Sequence, residues 1–129
     1  MQLLLYSSAD DQNKMRLEAA VNNVIPESKI ELFKRLDDLR ERLRRPVEPD
    51  SITVLSASNR EELQQMQMLR RLLPEIYVIL VIPDRKKSTI GLAHRLLPRF
   101  LSQQNDSFID LSKVLNKMYI NSQHSPDGE

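Results

Sequence analysis

The sequence predicts a doubly wound α/β sandwich: a five-stranded parallel sheet in the order 2-1-3-4-5, with helices on both faces. Three observations predict it. Five short apolar runs alternate with longer segments of helical periodicity, and such alternation implies a parallel sheet covered on both sides. Runs one, three and four are nearly continuous in apolar residues, as strands buried on both faces must be. Runs two and five are short and polar-interrupted, which puts them at the edges; right-handed crossovers then give the order.

The first strand is expected over residues 2–6. It stops at Ser7 and Ser8, and Ser8 with Asp11 reads as a capping box for a helix reaching to about Asn23. Pro26 marks a loop, and residues 29–33 form a brief strand broken by Glu31. Residues 35–45 read as a helix with Leu36, Leu39 and Leu43 on one face. Asp38 with Arg42 and Glu41 with Arg45 are placed for i,i+4 ion pairs. The third strand is SITVLSA, residues 51–57. Ser58-Asn59-Arg60-Glu61 fits an S-x-x-E capping box opening a helix to about Leu73, closed by Pro74. IYVILVI, residues 76–82, is the fourth strand. A weaker helix containing Gly91 covers residues 88–97, and residues 99–102 make the fifth strand. The last helix spans residues 106–119, with Phe108, Leu111, Leu115 and Met118 inward.

Composition narrows the function classes. The 129 residues suit one domain with a single core, and 29% charged against 40% apolar residues is ordinary for a soluble globular chain. A net charge of +1 argues for neither nucleic acid nor membrane surface. With no cysteine, disulfides, thiolate metal sites and cysteine nucleophiles are excluded. Neither a signal peptide nor a membrane-length apolar run is written in the chain, so a cytoplasmic location is expected. The two glycines, Gly91 and Gly128, cannot spell either glycine-rich phosphate loop.

The strand order is the flavodoxin-like one, whose ligands bind outside the carboxyl ends of strands one and three. The loops there are residues 7–11, 56–59 and 83–87. In element order, lengths and hydrophobic pattern, residues 1–120 resemble the receiver domain of two-component response regulators. The resemblance implies an acidic magnesium-binding pair after strand one, a phosphoacceptor Asp after strand three, a Ser or Thr after strand four and a Lys-Pro pair after strand five. At those positions this chain has Ser7 and Ser8, Ser56 (or Ala57), Ile82, and Gln103 with Gln104. It therefore resembles a degenerate member, a pseudo-receiver. A serine forms no acyl phosphate, and no lysine near Gln103 in sequence balances the charge; Arg85 and Arg99 are the cations within reach. Asp10 and Asp11 are the candidates for weak metal or ligand binding, but capping the first helix and complementing its dipole is the preferred reading of them.

Other chemistry finds little support. His94 and His124 belong to no triad or metal spacing and read as surface residues. The arginines of the second helix and Arg85-Lys86-Lys87 lack stacking aromatics, which argues against nucleic acid. Ser7-Ser8 without glycine or tryptophan argues against flavin, and no cofactor is expected. The resemblance implies a partner face on helix 4, strand 5 and helix 5, here His94, Arg95, Leu96, Phe100 and Ser102, for a protein partner or a homodimer. The expected function is a non-catalytic, phosphorylation-independent signalling or interaction domain. The alternative is a small-molecule- or metal-binding enzyme or carrier using the loop after strand one. Residues 121–129 read as a polar tail or the start of a linker to a further domain.

Overall fold

The computed structural model describes residues 2–8, 12–48, 50–73 and 77–123. Their elements run β1 (Leu3–Ser7), α1 (Gln12–Asn22), β2 (Ile30–Phe33), α2 (Leu36–Leu43), β3 (Ile52–Ser56), α3 (Arg60–Met66), β4 (Tyr77–Ile82), α4 (Lys87–His94), β5 (Phe100–Gln103) and α5 (Ile109–Gln123). Two 3₁₀ turns, Glu27–Lys29 and Gln67–Leu72, precede β2 and continue α3. The strands are all parallel and lie in the order β2-β1-β3-β4-β5, as the hydrophobic sorting predicts. Every residue of β1 and β3 is buried, as are five of the six in β4, whereas β2 and β5 are mostly half-exposed.

Because side chains alternate across a strand, each central strand feeds two cores. Leu4, Tyr6, Leu55, Leu80 and Ile82 face α2, α3 and α4, where Leu39, Leu63, Met66 and Ala93 meet them. Leu3, Leu5, Val54, Ile79 and Val81 face α1 and α5, where Leu17, Val21, Leu111 and Leu115 meet them. Ser7 and Ser56 end β1 and β3 on this second face, side by side in register.

Several local expectations shift. The capping box of α3 is set one residue later: Asn59 Oδ1 accepts from the Glu62 N–H at 2.8 Å, and Glu62 Oε1 accepts from the Ser58 N–H at 2.9 Å. SNREE contains both registers, and the later one puts the carboxylate of Glu62 over the strand ends. The Ser8 hydroxyl donates to Glu62 Oε2 at 2.6 Å, and Asp11, its expected capping-box partner, lies outside the described residues. Arg42 bypasses Asp38 and reaches Glu31 on β2 at 3.0 Å, where both groups are better shielded, and Glu41 pairs with Arg44 instead of Arg45. The last helix starts at Ile109, because the Asp106 carboxylate is engaged in the preceding turn, and it continues through Gln123 into the expected tail. No helix among the described residues is long and apolar enough to cross a membrane.

Candidate functional site

The switch point lies over the carboxyl ends of β1 and β3. Ser7 and Ser56 sit there with only 5% and 4% of their surface exposed. Gln104, one residue past β5, reaches the end of β3. Its Nε2 donates to Ser56 Oγ at 2.7 Å and to the Ala57 carbonyl at 3.0 Å. A carbonyl only accepts, so the second bond fixes which end of the amide faces β3. The Ser7 hydroxyl is buried with no hydrogen-bond partner among the described residues.

The receiver resemblance puts Gln103 and Gln104 at the Lys-Pro pair; in the structure it is Gln104 whose side chain reaches the end of β3. The Asp106 carboxylate accepts the Gln103 N–H at 2.9 Å and the Ser102 hydroxyl at 2.9 Å, and Gln104 donates the next ladder bond, to the Ile82 carbonyl at 2.9 Å. The register of β4 with β5 runs unbroken to Ile82 and Gln103, so strand alternation puts Gln104 on the face of Ser102 and Ser56 and Gln103 on the other. Gln103 Oε1 instead accepts from Arg85 Nε at 2.9 Å, and the same guanidinium lies 3.4 Å from Asp106. Of the two arginines within reach in sequence, Arg85 is therefore the one at the site. Arg99 stacks on Tyr77, at the other end of the sheet, 4.4 Å from the ring centroid. The Gln103 N–H, then the Ser102 hydroxyl and the charges of Arg85 and Arg16, hold the Asp106 carboxyl below the ordinary aspartate value. Ile82 is fully buried and packs with the helix α4 side of the core.

On the opposite wall Glu62 is the organising residue, and no motif singles it out. Its Oε2 accepts from Tyr6 Oη at 2.8 Å as well as from Ser8, while Oε1 holds Ser58. Burial, and then the hydrogen bond to that carboxylate, push the Tyr6 phenol up to about 12. Arg60 Nη1 donates to Ser88 Oγ at 2.7 Å, tying α3 to the start of α4. The loops over the sheet are thus joined by hydrogen bonds between neutral and charged side chains already on the chain. Asp10 and Asp11 lie outside the described residues, as does His124. Among the described residues no three His, Asp or Glu side chains gather as a metal site would require.

The expected partner face is only partly a surface. His94 and Arg95 are exposed and Phe100 is half-buried, but Leu96 and Ser102 turn inward, each 3% exposed. Helix α4 ends at His94, and the following turn folds Leu96 under the helix while Ser102 gives its hydroxyl to Asp106. The exposed apolar residue there is Leu97, 74% exposed and held at φ 53, a left-handed conformation costly for leucine. The signal for it is Pro98, which bars the preceding residue from continuing a helix.

No family model matches the sequence, and no curated protein matches it. Solved structures do. A protein described as the pilus assembly protein cpaE from Burkholderia thailandensis superposes with a TM-score of 0.65 at 20% identity, over 93% of this chain and 98% of that one. A pilus assembly-related protein from Burkholderia pseudomallei gives 0.60 at 19%, over 92% and 90%. A response regulator CheY-like protein from Mesorhizobium loti gives 0.59 at 17%, over 88% and 94%. At these identities the likeness is one of fold, and the fold is receiver-like and flavodoxin-like.

Proposed function

We propose that this chain is a receiver-like interaction domain that works without phosphorylation and without catalysis. The observation that carries the reading is Gln104 bonded across the end of β3 to Ser56 and Ala57. A phosphoryl group or a small ligand would need that space and a carboxylate to accept it; here a neutral amide occupies the space and a serine stands at the strand end. The same occupancy weighs against a ligand-carrying function for the loop after β1. The partner face in this reading is His94, Arg95, Leu97 and Phe100, with a protein partner or a second copy as occupant. Two of the similar structures bear names from pilus assembly, and we take a multiprotein assembly of that kind as the setting.

The test is an amide NMR titration with magnesium, then with beryllofluoride, an acyl-phosphate mimic. The expected result is no saturable shift at Ser7, Ser8, or residues 56–59. Saturable shifts spreading to Gln104 would overturn the reading. In parallel, Leu97→Asp and Phe100→Ala variants that keep their amide dispersion should lose self-association or partner binding, measured by sedimentation and by titration with candidate assembly proteins.

A further inference from the structure

A second surface lies away from both the cleft and the α4–β5–α5 face. Helix α2 and the α3–3₁₀ segment stand apart over β1 and leave a groove of about 490 Å³. Its apolar lining is Leu36, Leu69 and the ring of Tyr6; Gln65 and Met68 form one wall and Arg35, Asp37 and Arg40 the other, two cations against one carboxylate. Met68 is 68% exposed at the rim. It reaches the rim because α3 gives way to 3₁₀ geometry at Gln67, which changes the direction of side chains along the helix.

The charges on the groove are incompletely balanced. Elsewhere on α2 the arginines are matched: Arg42 by Glu31 and Arg44 by Glu41. At the groove Arg35 has no acidic partner among the described residues, and Arg40 has only a 3.2 Å contact from Nη2 to the largely exposed Asp37. Arg40 Nε is buried with no acceptor among the described residues. The Arg40 side chain is 36% exposed beyond that atom, so a carboxylate arriving from solvent can meet the guanidinium in a charge-assisted contact. The groove therefore offers an apolar floor, a flexible thioether that repacks readily, and an unbalanced pair of guanidinium groups.

We infer that this groove docks an acidic amphipathic helix of a partner protein. An apolar side chain of that helix enters between Leu36 and Met68, and a glutamate or aspartate one turn away meets Arg35 and Arg40, the helix-in-groove mode of recognition. Two helical walls over a shared floor suit such a segment, and the arginine pair sets its charge and orientation. The inference is independent of the function proposed above, since it uses none of His94, Leu97, Phe100 or Gln104.

The test uses the full chain and two synthetic helical peptides that share a leucine face, one flanked by glutamates and one by lysines. NMR follows the amides of Leu36, Arg40 and Gln65 and the Met68 methyl. The glutamate peptide is expected to shift these signals saturably and the lysine peptide to leave them unmoved. Arg35→Glu with Arg40→Glu should weaken binding by about tenfold or more, the scale expected for reversing charges at an interface. Met68→Ala, which leaves the charges in place, should weaken it by a smaller factor. Retained amide dispersion shows that each variant folds. Equal binding of both peptides would overturn the inference, as would unmoved groove signals with the glutamate peptide. Free glutamate competing as well as the peptide would replace the helix by a small anion, and shifts growing with protein concentration alone would replace it by a second copy; either also overturns it.

Discussion

The cleft over β1 and β3 and the groove beside α2 are neighbours that share Tyr6, yet they are built on opposite terms. In the cleft most polar side chains are engaged with each other, the Ser7 hydroxyl being the exception among the described residues: Gln104 with Ser56, Glu62 with Tyr6, Ser8 and Ser58, and Arg85 with Gln103 and Asp106. In the groove a guanidinium nitrogen is buried without an acceptor among the described residues, and a methionine lies open to solvent. A region whose hydrogen bonds are internally matched gains little by binding a ligand, because any new contact first breaks an old one. A region with unmatched donors and exposed apolar surface gains from a partner directly. On the reading proposed here, the cleft is occupied by the chain's own side chains and the helices α2 and α3 carry the binding surface.

The largest expected effect comes from the residue common to both. Tyr6→Ala removes a ring that is 2% exposed from the core under α2 and α3 and should cost about 3–5 kcal/mol in denaturant unfolding. Tyr6→Phe keeps the ring and removes only the hydrogen bond to Glu62, for about 1 kcal/mol. The phenol also makes a pH prediction. Its folded pKa is raised to about 12 from 10.0, so the unfolded chain releases the proton first. Its contribution is present below pH 10 and is lost as the pH rises toward 12. Glu62→Gln should bring the late phenolate transition, followed by ultraviolet absorbance, back toward 10. An unchanged transition would mean that burial alone sets it.

A middling effect is expected at the closed cleft. Gln104→Ala deletes bonds to Ser56 Oγ and the Ala57 carbonyl and should cost about 1–2 kcal/mol, with faster amide exchange at residues 56–59. Asp106 sharpens the point through pH. Its folded pKa is depressed, so its stabilisation is present above the ordinary carboxyl value and fades as the pH falls through the folded one. Asp106→Asn should flatten the stability profile in that acid range and leave it unchanged near neutrality apart from a constant offset. A Gln104 variant as stable as the parent would show the clasp to be incidental.

Much of this arrangement is legible in the residues. The apolar continuity of β1, β3 and β4 and the polar breaks at Glu31 and around β5 give strand order, because burial on two faces and on one leave different patterns. The loops at the switch point follow from that order. What periodicity does not carry is the aim of single side chains. Gln104, not Gln103, meets Ser56 because alternation along β5 puts it on that face, and which of two adjacent glutamines lies inward depends on where the strand begins, which residues 99–104 leave open. Glu62 displaces Glu61 because SNREE permits two caps, and only the later one also reaches Tyr6 and Ser8. Arg42 leaves its own helix for Glu31, a contact across elements that spacing along the helix does not reveal. The groove has no motif at all: it follows from a helix that changes to 3₁₀ geometry at Gln67.

The smallest expected effect tests the other side of the comparison. Arg40→Met preserves much of an unbranched side chain but removes the buried, unpartnered Nε and the contact to Asp37. That contact joins side chains 36% and 69% exposed, and exposed pairs contribute only about 0–1 kcal/mol. Relief of the unmatched donor offsets this loss, so the variant should lie within about 0.5 kcal/mol of the parent, of either sign. Removing a polar group from the cleft destabilises; removing one from the groove should not. If Arg40→Met costs as much as Gln104→Ala, the guanidinium is part of the scaffold, the two regions are alike, and the groove is no more poised to bind than the cleft. If it is neutral, the cation is held at the groove for something other than folding, and the acidic-helix titration becomes the decisive comparison.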